Sequence, residues 1–166
     1  MQESKERLQF NMINMIWAMD EENIIGYKNR IPWHCKEDLI YYKEHTKGKT
    51  VLMGEATYYS LKGYYKDKPL PYGKIYVASI NDIKLDDAIV VPDLISFLKD
   101  FKDELWVCGG ATIYKLSLPF ADRLYISFIQ GKHEGDAYFP QIDYSKYNLI
   151  FEKKTEQVRY TCFERK

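Results

Sequence analysis

Residues Met12 to Met19 read Met-Ile-Asn-Met-Ile-Trp-Ala-Met, a nearly unbroken apolar run of strand length. Such a run cannot sit on a one-sided sheet, because successive strand side chains point to opposite faces and both must then be covered. The segment therefore predicts a central strand in a sheet with helices on both sides. Asp20-Glu21-Glu22-Asn23 ends it as a turn.

The rest of the chain alternates in the way that such a sheet requires. Pro32 disfavours helix at Ile31, so the first helix begins only after Trp33. Over Lys36 to His45 it places Leu39, Ile40 and Tyr42 on one face and Lys36, Lys43 and Glu44 outside. Strands are predicted at 50–53, 75–79, 88–91, 104–108, 124–129, 147–154 and 159–164. Further helices are predicted at 56–61, 94–101 and 111–118, with a long surface loop over 62–73. The order predicts an α/β fold: a mostly parallel sheet of about eight strands, flanking helices and an antiparallel C-terminal edge. One domain is expected over 12–166, preceded by a short disordered extension over 1–11.

Composition narrows the function. The 24 basic and 24 acidic residues cancel, which removes the broad positive field of non-specific nucleic-acid binding. No apolar run is long enough to span a membrane as a helix. Cys35, Cys108 and Cys162 are scattered and odd in number, which fits a reducing compartment better than a disulfide framework. They and His34, His45 and His133 show no metal-ligand spacing, and the histidines read as surface residues.

In alternating folds ligands gather outside the carboxyl ends of the strands. Gly54-Glu55-Ala56-Thr57 and Gly109-Gly110-Ala111-Thr112 both fall at strand-to-helix junctions, where exposed amides suit phosphate groups. Gly109-Gly110 alone reads equally as a packing turn, but two such junctions in one small domain favour a dinucleotide or another two-phosphate ligand. Asp38, early in the first helix, reads either as a residue complementing the helix dipole or as a single carboxylate in an apolar cleft.

Taken together, the chain after residue 11 resembles the dihydrofolate reductases. The resemblance rests on Ile16-Trp17-Ala18-Met19, Ile25-Gly26, Ile31-Pro32-Trp33, Asp38-Leu39, Met53-Gly54-x-x-Thr57-Tyr58, Pro69-Leu70-Pro71, Cys108-Gly109-Gly110-Ala111-x-Ile113-Tyr114 and Glu134-Gly135-Asp136-x-x-Phe139-Pro140. Eight short pieces in order and register are specific together, though each alone is not.

The resemblance implies reduction of 7,8-dihydrofolate to tetrahydrofolate by hydride from NADPH. It implies catalytic roles for Asp38, Trp33 and Ser127, with the pterin edge on the Asp38 carboxylate. Substrate would contact Ile16, Ala18, Leu39, Tyr42, Thr46, Lys74, Cys108 and Tyr114. The cofactor would contact Ala18, Ile25, Gly54, Thr57, Ser79, Gly109, Gly110, Ala111, Thr112 and Ile113. The segment from Ile24 to Trp33 would be a mobile loop closing over the nicotinamide. A cytoplasmic monomer with a small-molecule substrate, no nucleic-acid or membrane partner and no metal is the expectation.

Two positions depart from the family pattern. Glu55 stands where a basic residue usually helps to bind the adenosine 2′-phosphate, leaving Ser79 as the clear survivor among the residues for that group. After Pro-Leu-Pro the chain reads Tyr72-Gly73-Lys74, without the arginine that holds the substrate's glutamate tail. A gapped register puts Lys74 at that place and an ungapped one puts Gly73 there; the gapped register is the expectation. Competing readings are a related reductase of riboflavin synthesis, and a catalytically weak pterin- or nucleotide-binding module.

Overall fold

The computed structural model describes residues 11–28 and 30–166. The expectation for 1–11 thus falls, except for Asn11, outside the described residues. β1 (Met12–Met19) is followed by β2 (Ile24–Gly26), α1 (Lys36–Thr46), β3 (Thr50–Gly54), α2 (Glu55–Tyr64), β4 (Lys74–Ala78) and β5 (Ile89–Val91). Then come α3 (Leu94–Asp100), β6 (Glu104–Val107), α4 (Ala111–Ser117), β7 (Arg123–Ile129), β8 (Ala137–Tyr138), β9 (Tyr147–Lys154) and β10 (Val158–Arg165). An eight-stranded sheet runs in the order β5-β4-β3-β6-β1-β7-β10-β9, and β2 pairs with β8 separately. Pairings from β5 through β7 are parallel, while β7–β10 and β10–β9 are antiparallel. The predicted architecture holds, including the central place of β1.

β1 divides its side chains between two cores, as its composition demands. Met15, Trp17 and Met19 join Leu94 and Leu98 of α3 and Tyr114 of α4 on one face. Ile16 joins Val51, Met53, Trp106 and Tyr58 on the other, with Tyr41 and Tyr42 of α1 and Leu61 of α2 packed against them. So α1 and α2 cover one face and α3 and α4 the other. β3 and β6 are neighbours, yet the helices that follow them leave to opposite faces. Their carboxyl ends are therefore a topological switch point, the kind of crevice in which open α/β sheets bind ligands.

Several predicted boundaries shift. α2 runs on to Tyr64, shortening the expected 62–73 loop; Gly63 is exposed and is tolerated near the helix end. Pro119 does not end α4 abruptly but sits in a 3₁₀ turn, Leu118–Phe120. On α1 the apolar face is rotated from the expected one: Leu39 and Ile40 are exposed, whereas Tyr41 and Tyr42 pack inward. Tyr41 packs on His45 and Tyr160, and His45 in turn lies against Trp106 and Tyr125.

Candidate active site

Asp38 occupies the first turn of α1, where the helix has no side-chain N-cap bond and Glu37 and Asp38 supply negative charge. Ser127 on β7 is paired with Ala18 of β1 and Tyr160 of β10, which places all three beside α1. Burial pushes the Asp38 carboxyl above its ordinary range, the Ser127 hydroxyl draws it down by hydrogen bonding, and Glu37 adds a like-charge push upward. Glu37 itself is held in place, since its Oε1 accepts from Thr155 Oγ1 and from the Tyr160 hydroxyl at 3.3 Å.

Trp33 and Ala18 pack against a small cluster of Ile129, Val158 and Tyr160 next to this carboxylate. Tyr42 closes the other side, its hydroxyl 2.9 Å from that of Tyr72. The Cys108 thiol is adjacent and burial pushes it up to about 12, so it stays protonated. Tyr114 is buried, and its hydroxyl donates to the Ile16 carbonyl at 2.7 Å. These residues make a half-buried carboxylate with apolar and aromatic walls, suited to an amidine-like heterocycle edge.

The crevice lies alongside. The Gly54 N–H donates to the Gly109 carbonyl at 2.8 Å, joining the two strand-to-helix junctions. Thr57 Oγ1 lies 3.6 Å from where a Cβ on Gly110 would stand, so this hydroxyl and the Gly110 backbone face one another. Ile113 packs against Gly54. Ala111 is half-buried and Thr112 exposed. The residue set fits a pyrophosphate-bearing cofactor along this line. It fits less well at the far end, where Glu55 and Ser79 stand together.

The segment after β1 is anchored at both ends. Asp20 is buried and accepts from the backbone N–H groups of Glu22, Ile24 and His133 at 2.9, 3.0 and 2.9 Å. Burial pushes its carboxyl up, but those bonds outweigh it and leave the group below its ordinary range. The Asp136 carboxylate accepts from the Lys28 N–H at 3.0 Å, and its own N–H donates to Gly26 at 2.9 Å. Ile25 packs on the core from this segment. A Cβ on Gly135 would fall 2.1 Å from Ile24 Cγ2 and 3.0 Å from the Gly26 carbonyl, so only glycine admits this approach.

Four expectations are corrected. Lys74, expected to hold the substrate's glutamate tail, lies on the face away from α1 and α2: its Nζ is 5.7 Å over Tyr76, whose ring packs with Phe97 and Phe101. That face is the one the ungapped register gives to Lys74, and a Cβ on Gly73 would lie 2.6 Å from the Gly48 carbonyl. Thr46 is buried, and its hydroxyl is spent on the Tyr42 carbonyl at 2.9 Å, so it is not free to line the cleft. His133 and His45 are half-buried and hydrogen-bonded rather than free surface residues. His133 Nδ1 sits 3.3 Å from Asp20 with its ring edge against Trp33, and His45 Nδ1 lies 2.8 Å from the Tyr41 carbonyl, among Tyr41, Trp106 and Tyr125.

The sequence reasoning also missed Asp20 and Glu37. Asp20 had a local signal, an acidic residue opening a turn and bonding to the N–H groups ahead of it. Glu37 had none, because its partners lie 118 and 123 residues away.

The family model described as dihydrofolate reductase matches residues 12–164. A protein named dihydrofolate reductase from Buchnera aphidicola subsp. Acyrthosiphon pisum (strain APS) is 40% identical, over 86% of this chain and 88% of its own. One of the same name from Bacillus subtilis (strain 168) is 40% identical, over 84% and 82%. Among solved structures, dihydrofolate reductase from Enterococcus faecalis, complexed with NADP(H) and RAB-propyl, matches with a TM-score of 0.79. It is 27% identical, and the match covers 93% of this chain and 96% of that one.

Proposed function

Because this chain belongs to the dihydrofolate reductase family and reduces 7,8-dihydrofolate to tetrahydrofolate with NADPH, we propose that Asp38 is the carboxylate on which the reaction turns. When bound, NADPH supplies the hydride that adds to C6 of the pterin, while N5 takes a proton from water. Asp38 accepts hydrogen bonds from the pterin's amidine edge, which orients the ring and favours protonation at N5. Ser127, with a water, completes the partners of that carboxylate. Trp33, Ala18, Ile16, Leu39 and Tyr42 provide the walls that keep bulk water from the ring, and Cys108 and Tyr114 back them.

On the cofactor side, Ala18 and Ile25 would meet the nicotinamide amide. Thr57 and the backbone from Gly109 and Gly110 through Ala111, Thr112 and Ile113 would hold the pyrophosphate beside Gly54. The segment from Ile24 to Trp33 would cover the nicotinamide, with the Asp136 and Gly135 contacts at its base. The single observation that carries this reading is the Asp38 carboxyl, half-buried between aromatic walls with Ser127 as its hydroxyl partner.

Asp38→Asn tests it. Followed as NADPH oxidation at 340 nm, turnover of dihydrofolate should fall at least ~100-fold at neutral pH, the scale of general acid–base assistance. Much of the loss should return at low pH, where substrate arrives protonated. Near wild-type turnover at pH 7 would overturn the assignment. We further propose a single domain over 12–166 acting as a cytoplasmic monomer. The family match spanning 12–164 supports the domain, and a solution mass near 19.7 kDa checks the monomer.

A further inference from the structure

The outer end of the crevice carries a carboxylate in a defined place. β3 and β4 pair with Gly54 opposite Ala78, so the residues that follow, Glu55 and Ser79, come side by side at the carboxyl edge. Ser79 Oγ donates to Glu55 Oε2 at 2.6 Å, and Asn81 Nδ2 donates to the same oxygen at 2.9 Å. The Asn81 N–H in turn donates to Ser79 Oγ at 3.0 Å, which fixes the hydroxyl. These donors hold the Glu55 carboxyl below its ordinary range, so it is ionised at neutral pH. Among the described residues no lysine or arginine pairs with Glu55, and the lysine about two turns along α2, Lys62, is committed to Asp87 at 2.9 Å.

That arrangement is wrong for a phosphate and right for a hydroxyl. A 2′-phosphate brings up to about two negative charges. Beside Ser79 it would meet an ionised carboxylate, and the single Ser79 hydroxyl hydrogen is already donated to that carboxylate. A ribose 2′-hydroxyl has a hydrogen to give, and Glu55 Oε1 accepts none among the described residues. Acidic residues play this part for the unphosphorylated ribose in other dinucleotide folds.

We propose that Glu55, held by Ser79 and Asn81, is a specificity-determining residue that reads the adenosine ribose 2′-hydroxyl, so that this reductase accepts NADH nearly as well as NADPH. The inference rests on the functional reading above and deepens it at the cofactor's adenosine end.

Two measurements test it, one of them independent of turnover. Calorimetric titration of the intact protein with 5′-ADP and with 2′,5′-ADP should give affinities within about tenfold of each other. Glu55→Arg should move that ratio toward 2′,5′-ADP by about tenfold, the scale of a charge-assisted hydrogen bond to phosphate. Glu55→Gln, which keeps the shape and removes the charge, should move it about threefold in the same direction and serves if arginine impairs folding. In steady state with dihydrofolate, the NADPH-to-NADH ratio of kcat/KM should lie below about ten in the wild type and rise in the same order. A wild-type preference for 2′,5′-ADP above about tenfold, or an ADP ratio unmoved by both substitutions, overturns the proposal. If neither cofactor supports reduction while the ADP ratios behave as stated, the catalytic reading fails and the role of Glu55 stands.

Discussion

The reacting end of the site and its two outer ends are built differently. Around Asp38, side chains from α1, β1, β7 and β10 converge, and each is fixed by a sheet register or by packing in a core. At the proposed adenosine end, Glu55 is held by Ser79 and Asn81 at the surface, and at the 72–74 turn a glycine, Gly73, is pressed on the Gly48 carbonyl. The chemistry of hydride transfer leaves little freedom in how its carboxylate is presented. The tails of the two ligands only anchor, so their partners can change type without disturbing the centre.

The sharpest way to break that contrast is at Asp38. Besides the loss of turnover described above, Asp38→Asn should raise thermal stability at neutral pH by a few degrees. The Asp38 carboxyl is raised in the folded protein, so its favourable contribution is full below the ordinary value of 3.8 and is lost as pH rises through the raised one. The gain of the asparagine variant should therefore shrink as pH falls toward that ordinary value, which melting curves across pH would show. A gain that persisted unchanged in acid would mean that packing, not charge, sets the cost.

Next in size is the loop anchor. Gly135→Ala drives a methyl into Ile24 and the Gly26 carbonyl, so β2 and β8 cannot keep their present spacing. Turnover should fall by about tenfold or more through lost positioning, with NADPH binding weakened and stability reduced less than activity. Gly73→Ala should act in the opposite proportion. Its methyl meets backbone, the Gly48 carbonyl, and should cost roughly 1–3 kcal/mol of folding stability in denaturant titration, the range for overpacking, with kcat little changed. Smallest of all, Lys74→Ala should alter kcat/KM for dihydrofolate by less than about twofold, because its ammonium rests over Tyr76 on the far face. A tenfold loss confined to KM would return Lys74 to the glutamate tail.

These cases also mark where sequence was a sufficient guide. β1 and the two glycine-bearing junctions are local patterns, and the structure places them where the sequence reading did. Asp38 was legible by itself only as an acidic residue early in a helix, and its role came from the resemblance. The turn before β4 is different, since one residue of register exchanges the two faces of a strand. Nothing in Tyr72-Gly73-Lys74 reveals that the glycine is pressed on Gly48. Thr46 misled because a buried threonine can spend its hydroxyl on its own helix. The Asp20–His133 pair spans 113 residues and had no counterpart in spacing.

The crevice between β3 and β6 has a thermodynamic meaning beyond recognition. Each of the two cores has its own pair of helices, and the line where they part is the line along which a bound dinucleotide would lie. A ligand there bridges layers that the chain itself joins mainly through the sheet. By mass action, saturation at a hundred times its Kd adds about 2.7 kcal/mol to the folded state. For a chain of this size that corresponds to a melting shift of roughly 5–10 °C. Inside a cell holding abundant cofactor, the protein's working stability is therefore partly borrowed from its own ligand pool, and its turnover by proteases should follow the supply of reduced dinucleotide.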